Sequence, residues 1–242
     1  MRGAGGEGWH PRKMPDFALI HGGAHGAWCW DRLVPFLAAD PRVGQVLAID
    51  LCGHGQRLED KPQRDISLAD YHSSALEDLE RHDLRDAVLV GHSLAGITIP
   101  VLAHRAPERI RHLVYLATTN PARGRRVLDV MSDPRSPVSR GADMNAAFCS
   151  DCDEATSAWL VDHLGPQPPG PLMTRIETVR GPVGVPQTYV VCEADEVLPA
   201  DYQQEQAEII DADEVLRLPT GHSPFASQPA ALADLLLGLI PD

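Results

Sequence analysis

The chain lacks most of the features that would assign it to a class at once. No apolar run in its 242 residues approaches the roughly 18 that a membrane-spanning helix needs. Lys and Arg number 21 against 34 Asp and Glu, a net charge of −13, so there is no basic surplus to hold nucleic acid or an anionic membrane. Arg2, Arg12 and Lys13 precede no apolar h-region, and no secretory signal is read. The five cysteines (29, 52, 149, 152, 192) are an odd and sparse set. A chain this long buries roughly three-quarters of its unfolded surface and needs no disulfide staples. A reducing cytoplasm is therefore the expected compartment. There is no H-E-x-x-H and no Walker motif, so neither a metal nor a nucleotide cofactor is expected.

What is present is a rhythm. Residues 1–15 carry glycine, charge and proline without a hydrophobic period and read as a disordered leader. Gly3, Gly5 and Gly8 spell a dinucleotide fingerprint, but no strand precedes them, and the motif is rejected. From Asp16 onward short apolar runs alternate with helical patterns. Strands are expected at Phe17–His21, Gln45–Asp50, Ala87–Val90, Leu113–Ala117, Thr188–Cys192 and Val215–Leu218. Helices are expected near Trp28–Leu37, after the Ser67-Leu68-Ala69-Asp70 capping box, and from about Leu94 to Arg105. A last helix carries Leu232, Leu235, Leu236, Leu239 and Ile240 as a buried stripe. Such alternation implies a mostly parallel sheet with helices on both faces. It breaks between Thr118 and about Val185, a stretch rich in Pro and Asp with weak helical patches such as Ala155–Leu164. A structureless loop of that length is uncommon, so an inserted helical cap is expected.

The chemistry begins where the third strand ends, at Gly91-His92-Ser93-Leu94-Ala95-Gly96. A serine hydroxyl becomes a useful nucleophile only when exposed, aligned with a base and close to oxyanion donors. A sharp strand-to-helix turn provides the exposure, with small residues two before and two after the serine. Gly91 and Ala95 fill those places, Ala95 standing where a second glycine is usual. Gly96, four residues before Pro100, suggests a helix kink. The base should be a histidine downstream of Ser93. His104 and His112 flank the next helix–strand connection and read as surface residues; His163 falls in the insertion. His222 follows the last strand, on the side where such sheets place their sites, and is the candidate. For the acid, Glu193, Asp195 and Glu196 all follow the fifth strand, and spacing does not choose among them.

Four stretches together resemble the α/β-hydrolases, in particular the small-esterase branch of plant methylesterases, hydroxynitrile lyases and their bacterial relatives. They are Ala18 to Trp30 (ALIHGGAHGAWCW), Ile49 to Gly55 (IDLCGHG), the Ser93 turn, and the block from Tyr189 to Phe225. In the insertion only Pro166-Gln167-Pro168 is similar. The resemblance implies an α/β-hydrolase fold, with a core of residues 16–118 and 186–242 and a cap of residues 119–185. It places the acid at Asp195, completing a triad of Ser93, Asp195 and His222. It also implies an oxyanion hole from the backbone N–H groups of Leu94 and Gly23.

The activity implied is cofactor-independent hydrolysis of a small-molecule carboxylic ester through an acyl-enzyme. A lyase or C–C bond hydrolase on the same scaffold, or a non-catalytic small-molecule receptor, are the alternatives. Phe148 and Trp159 are the candidate substrate contacts, with Met131, Leu160 and Met173 as further apolar candidates. Cys149 and Cys152 have C-x-x-C spacing but no second ligand pair, and read as incidental thiols. Neither nucleic acid nor membrane is expected as a partner, and a homodimer is compatible with the reading. Because the candidate triad and oxyanion residues lie outside the insertion, the cap is expected to govern substrate preference rather than acylation.

Overall fold

The computed structural model describes residues 14–241, so most of the expected leader, with its glycine string, lies outside the described residues. Six strands form one sheet in the order β2-β1-β3-β4-β5-β6: β1 (Phe17–Ile20), β2 (Val46–Ile49), β3 (Ala87–His92), β4 (Ile110–Leu116), β5 (Gln187–Cys192) and β6 (Glu214–Leu218). Every neighbouring pair is parallel. The central strand β1 is continuously apolar because both its faces are covered, whereas the edge strand β6 carries exposed Glu214 and Arg217. In β1, Ala18 and Ile20 enter one core while Phe17 and Leu19 enter the other. In β5 the same alternation separates Tyr189 and Val191 from Val190 and Cys192.

Helices α1 (Val34–Ala38), α2 (Leu68–Arg81) and α3 (Ile99–Arg105) occupy the first half of the chain. Four helices fill the interval between β4 and β5: α4 (Val127–Met131), α5 (Met144–Phe148), α6 (Glu154–His163) and α7 (Pro169–Met173). After β5 come α8 (Ala200–Ile209), α9 (Pro224–Ser227) and α10 (Pro229–Leu237). The α2 capping box forms as expected: Ser67 Oγ accepts from the Asp70 backbone and Asp70 returns a bond to the Ser67 backbone.

Four expectations change. The helix expected after Ser93 is a 3-10 turn (Ser93–Ile97) followed by α3, with Pro100 in the first turn, where its missing N–H breaks nothing. Gly96 is not there to relieve a kink: a Cβ on it would lie 2.6 Å from Thr119 O. His112 is not a surface residue beside β4 but a half-buried member of it, its Nε2 2.8 Å from Thr188 Oγ1. In the last helix only Leu232 and Leu236 of the expected stripe are buried helical residues; α10 stops before Gly238, and Ile240 packs from beyond its end. Among the described residues no helix is long and apolar enough to cross a membrane.

Candidate active site

Strand β2 lies on one side of β1 and β3 on the other, so the chain reverses its winding at β1. Loops leaving the C-terminal ends of strands on either side of such a reversal splay apart and leave a crevice. The loops after β1, β3, β5 and β6 carry the residues singled out from the sequence.

Ser93 sits at φ +51°, the left-handed region, which lifts its side chain out of the strand-to-helix turn. The conformation costs about 1 kcal/mol or more for a residue with a Cβ and persists because its surroundings impose it. The neighbours are correspondingly bare. A Cβ on Gly91 would meet Ile99 Cγ2 at 2.8 Å but Ala95 Cβ at 3.2 Å, so the turn tolerates the methyl of Ala95 as long as position 91 has none. A Cβ on Gly22 would come within 2.8 Å of Ser93 Cβ.

Ser93 Oγ lies 3.0 Å from His222 Nε2, and His222 Nδ1 lies 2.7 Å from Asp195 Oδ2. A carboxylate only accepts, so Nδ1 carries the proton and Nε2 is left to accept from the serine hydroxyl. Asp195 is filled on both oxygens: Oδ1 accepts from the backbone of Val197 (2.7 Å) and Leu198 (2.9 Å), and Oδ2 from Gln203 Nε2 (3.1 Å) as well as His222. The other two candidate acids do not join: Glu193 faces Arg217 at 3.6 Å on the surface, and Glu196 is exposed. His104 and His163 are exposed and remote from this line of bonds.

One neighbour of His222 escapes a search limited to histidines downstream of the serine, and Phe148, named from the sequence only as a candidate substrate contact, is a second neighbour. His92, fully buried, donates from Nε2 to the His222 carbonyl at 2.8 Å and tethers the loop after β6 to the Ser93 turn. Phe148 of α5 stacks on the His222 ring, with centroids 5.5 Å apart and planes at 21°. An aromatic face there favours an imidazolium when one forms. Gln203 was also missed. Its sequence signal is a pair of amides, Gln203 and Gln206, on the buried face of α8 beside Tyr202 and Ala207.

The crevice encloses a cavity of about 390 Å³ that includes Ser93, Gly23 and Leu94 among its lining residues. Val127, Val130, Met131, Met144, Phe148 and Leu172 supply much of the rest, and among the described residues no charged residue lines it. Phe148 and Met131, two of the apolar candidates, line this cavity. Trp159 does not: it packs edge-on to Trp28 and carries the Arg32 guanidinium 4.5 Å above its ring, away from the cavity. Leu160 is buried in the core, and Met173 points outward, half exposed.

Burial sets the protonation of the histidines around the site. Desolvation pushes His25 and His54 down to about 4 and holds His21 and His92 well below the ordinary imidazole value. These four are neutral hydrogen-bonding parts of the scaffold. Cys149 and Cys152 are free thiols, Cys152 raised to about 12 by burial, and among the described residues no cluster of His, Cys, Asp or Glu could hold a metal.

A parallel sheet wound this way, with a serine on a strained turn after β3 and an acid–histidine pair on the last two loops, defines a hydrolase scaffold. The sequence profile of the alpha/beta hydrolase family matches residues 17–235, and the chain belongs to that family. Methylesterase 9 of Arabidopsis thaliana is 28% identical over 255 residues, covering 93% of this chain and 97% of the relative. Methyl jasmonate esterase 1 of Vitis vinifera is 25% identical, covering 95% and 98%. The crystal structure of polyneuridine aldehyde esterase superposes with a TM-score of 0.77 at 20% identity, covering 94% of this chain and 99% of that one.

Proposed function

We propose that this protein is a serine hydrolase that cleaves a small, neutral carboxylic ester through an acyl-enzyme on Ser93. The observation that carries the proposal is the unbroken line Ser93–His222–Asp195, opening onto a cavity without a charged lining. His222 takes the serine proton as Oγ attacks the acyl carbon, and Asp195 holds the imidazole in the tautomer that can do so. The backbone N–H groups of Leu94 and Gly23 receive the oxyanion. The proton then passes to the departing alcohol, and water repeats the sequence to release the acid.

The uncharged lining favours a substrate with no formal charge, since an ion there would lose its hydration without a partner. The acid product is an anion on release, so the same lining favours its departure. Relatives named as methylesterases and a methyl jasmonate esterase support an ester as the scissile group. A reducing cytoplasm as its compartment is supported by the five free cysteines, its substrates are small molecules, and a homodimer is the assembly to test by light scattering.

The test is a panel of activated esters varying in acyl and alcohol size, run on the wild type and on Ser93→Ala. Turnover and labelling by a fluorophosphonate probe should both vanish in the variant while its circular dichroism stays native. Near wild-type turnover in Ser93→Ala would refute the proposal.

A further inference from the structure

The loop carrying Gly23 is held by the segment between β4 and β5, not by the core alone. Ala24, the residue after Gly23, is a non-glycine at φ +61°, a conformation L-residues disfavour. Both of its backbone polar groups are taken by residues of that segment: Gly165 N–H donates to Ala24 O at 2.8 Å, and Ala24 N–H donates to Gln167 Oε1 at 3.0 Å.

Gln167 is itself fixed by a chain of bonds whose directions follow from donor and acceptor capacity. Its Nε2 donates to Tyr71 Oη at 3.0 Å and to Pro168 O at 2.9 Å. The Tyr71 hydroxyl, 2.7 Å from His54 Nε2, then donates to that nitrogen. The path runs from His54 through Tyr71 and Gln167 to the loop at Ala24. Its inner end is sheltered: Tyr71 is 1% and His54 2% exposed. His54 stays neutral because burial disfavours its charge, which leaves Nε2 free to accept.

We infer that Gln167 is a positioning residue for the oxyanion loop, the end of a hydrogen-bonded chain from His54 through Tyr71 that fixes Ala24 and hence the direction of the Gly23 N–H. The inference rests on the ester-hydrolase reading of Ser93 and adds that the insertion takes part in building the oxyanion hole. It revises the expectation that the insertion governs substrate preference alone. An oxyanion donor acts only if it is aimed before charge develops, and a small misplacement of such a group is amplified in the rate. Acylation and deacylation both pass through an oxyanion, so kcat senses the loop whichever step limits.

The experiment compares wild type, Gln167→Met, Tyr71→Phe and Ser93→Ala on one activated short-chain ester. It also measures inhibition by a trifluoromethyl ketone, which forms a tetrahedral adduct with an active serine. Gln167→Met keeps the side-chain length and removes its hydrogen bonds. It should lower kcat by about 10- to 100-fold, below the loss typical of deleting an oxyanion donor outright. KM should stay within about threefold, and ketone affinity should fall by the same factor as kcat. Tyr71→Phe, which breaks the chain but leaves the amide, should fall between wild type and Gln167→Met, and it carries the test if the latter does not fold. A raised KM with unchanged kcat would make Gln167 merely a wall of the cavity and overturn the inference. So would a kcat within twofold of wild type in both variants, given an inactive Ser93→Ala. Turnover that survives Ser93→Ala would instead strike down the ester-hydrolase reading, and the inference with it.

Discussion

Replacing Asp195 by Asn tests whether the acid works through the histidine tautomer. All four groups that face the carboxylate are donors in the native structure: the backbone N–H of Val197 and Leu198, Gln203 Nε2 and His222 Nδ1. Asn brings a donor of its own and must turn it toward one of them. The two backbone groups cannot reverse. Gln203 cannot either, because its Oε1 accepts from Cys192 N at 2.9 Å and its Nε2 also donates to Cys192 O (3.0 Å) and Leu198 O (2.7 Å). Only His222 can exchange a donor for an acceptor, by moving its proton from Nδ1 to Nε2. The side chain that should accept the serine proton then presents one to Ser93 instead. The expected loss in kcat/KM is ~10³- to 10⁴-fold, equivalent to about 4–5.5 kcal/mol of transition-state stabilisation. The fold should lose much less, about 1–3 kcal/mol from weakened bonds to the two backbone donors and Gln203. Ester kinetics and a urea midpoint read the two numbers separately, and imidazole nitrogen shifts in NMR read the tautomer. A variant within tenfold of wild-type kcat/KM, or one that still protonates Nδ1, would refute the reasoning.

Ester cleavage, not cyanide release, is expected when initial rates on an activated ester and on mandelonitrile are compared with Ser93→Ala. Family members that release cyanide place a lysine after the catalytic histidine and a threonine after the first-loop histidine, whereas here Ser223 follows His222 and Gly22 follows His21. A side chain at position 22 would collide with Ser93 Cβ, so the sequence cannot simply be edited into that form. A Ser93-dependent mandelonitrile rate above the best ester rate would overturn the functional class. Stability should fall as pH drops from about 6.5 toward 4. His25, His54, His72 and His112 are each lowered to about 4 by burial, while an unfolded imidazole titrates near 6.5, so the unfolded chain binds more protons throughout that window. The stabilisation is fully present above the window and lost on passing down through it. Asp70, held at about 2 chiefly by Ser67, stays ionised across it. Urea midpoints between pH 7.5 and 4.5 check this, and a flat profile would contradict it.

The sequence by itself determined what local chemistry and periodicity can write. Six largely apolar runs of strand length became six strands, most plainly in β1 and β3, where residues buried on both sheet faces are continuously apolar up to the Ser93 turn. The Ser67–Asp70 box opened α2 because its partners lie three residues apart. Gly91, Ser93 and Ala95 signalled a turn for the same reason: the contacts that demand small residues there are short in sequence. Asp195 was not separable from Glu193 and Glu196 by spacing; only the family resemblance singled it out before the structure. What made it different in space is a partner set drawn from Gln203 and His222, which the chain returns to it through α8 and β6. Only the tertiary structure decided the rest. Trp159 and Phe148 were equivalent apolar candidates, yet one props Arg32 and the other covers His222. Gln167 and Ala24 stand 143 positions apart, and no periodicity relates them. A hydrogen bond of that span is fixed by how the segment after β4 docks, which depends on the packing of the whole fold, and the sequence records it only as a glutamine between two prolines.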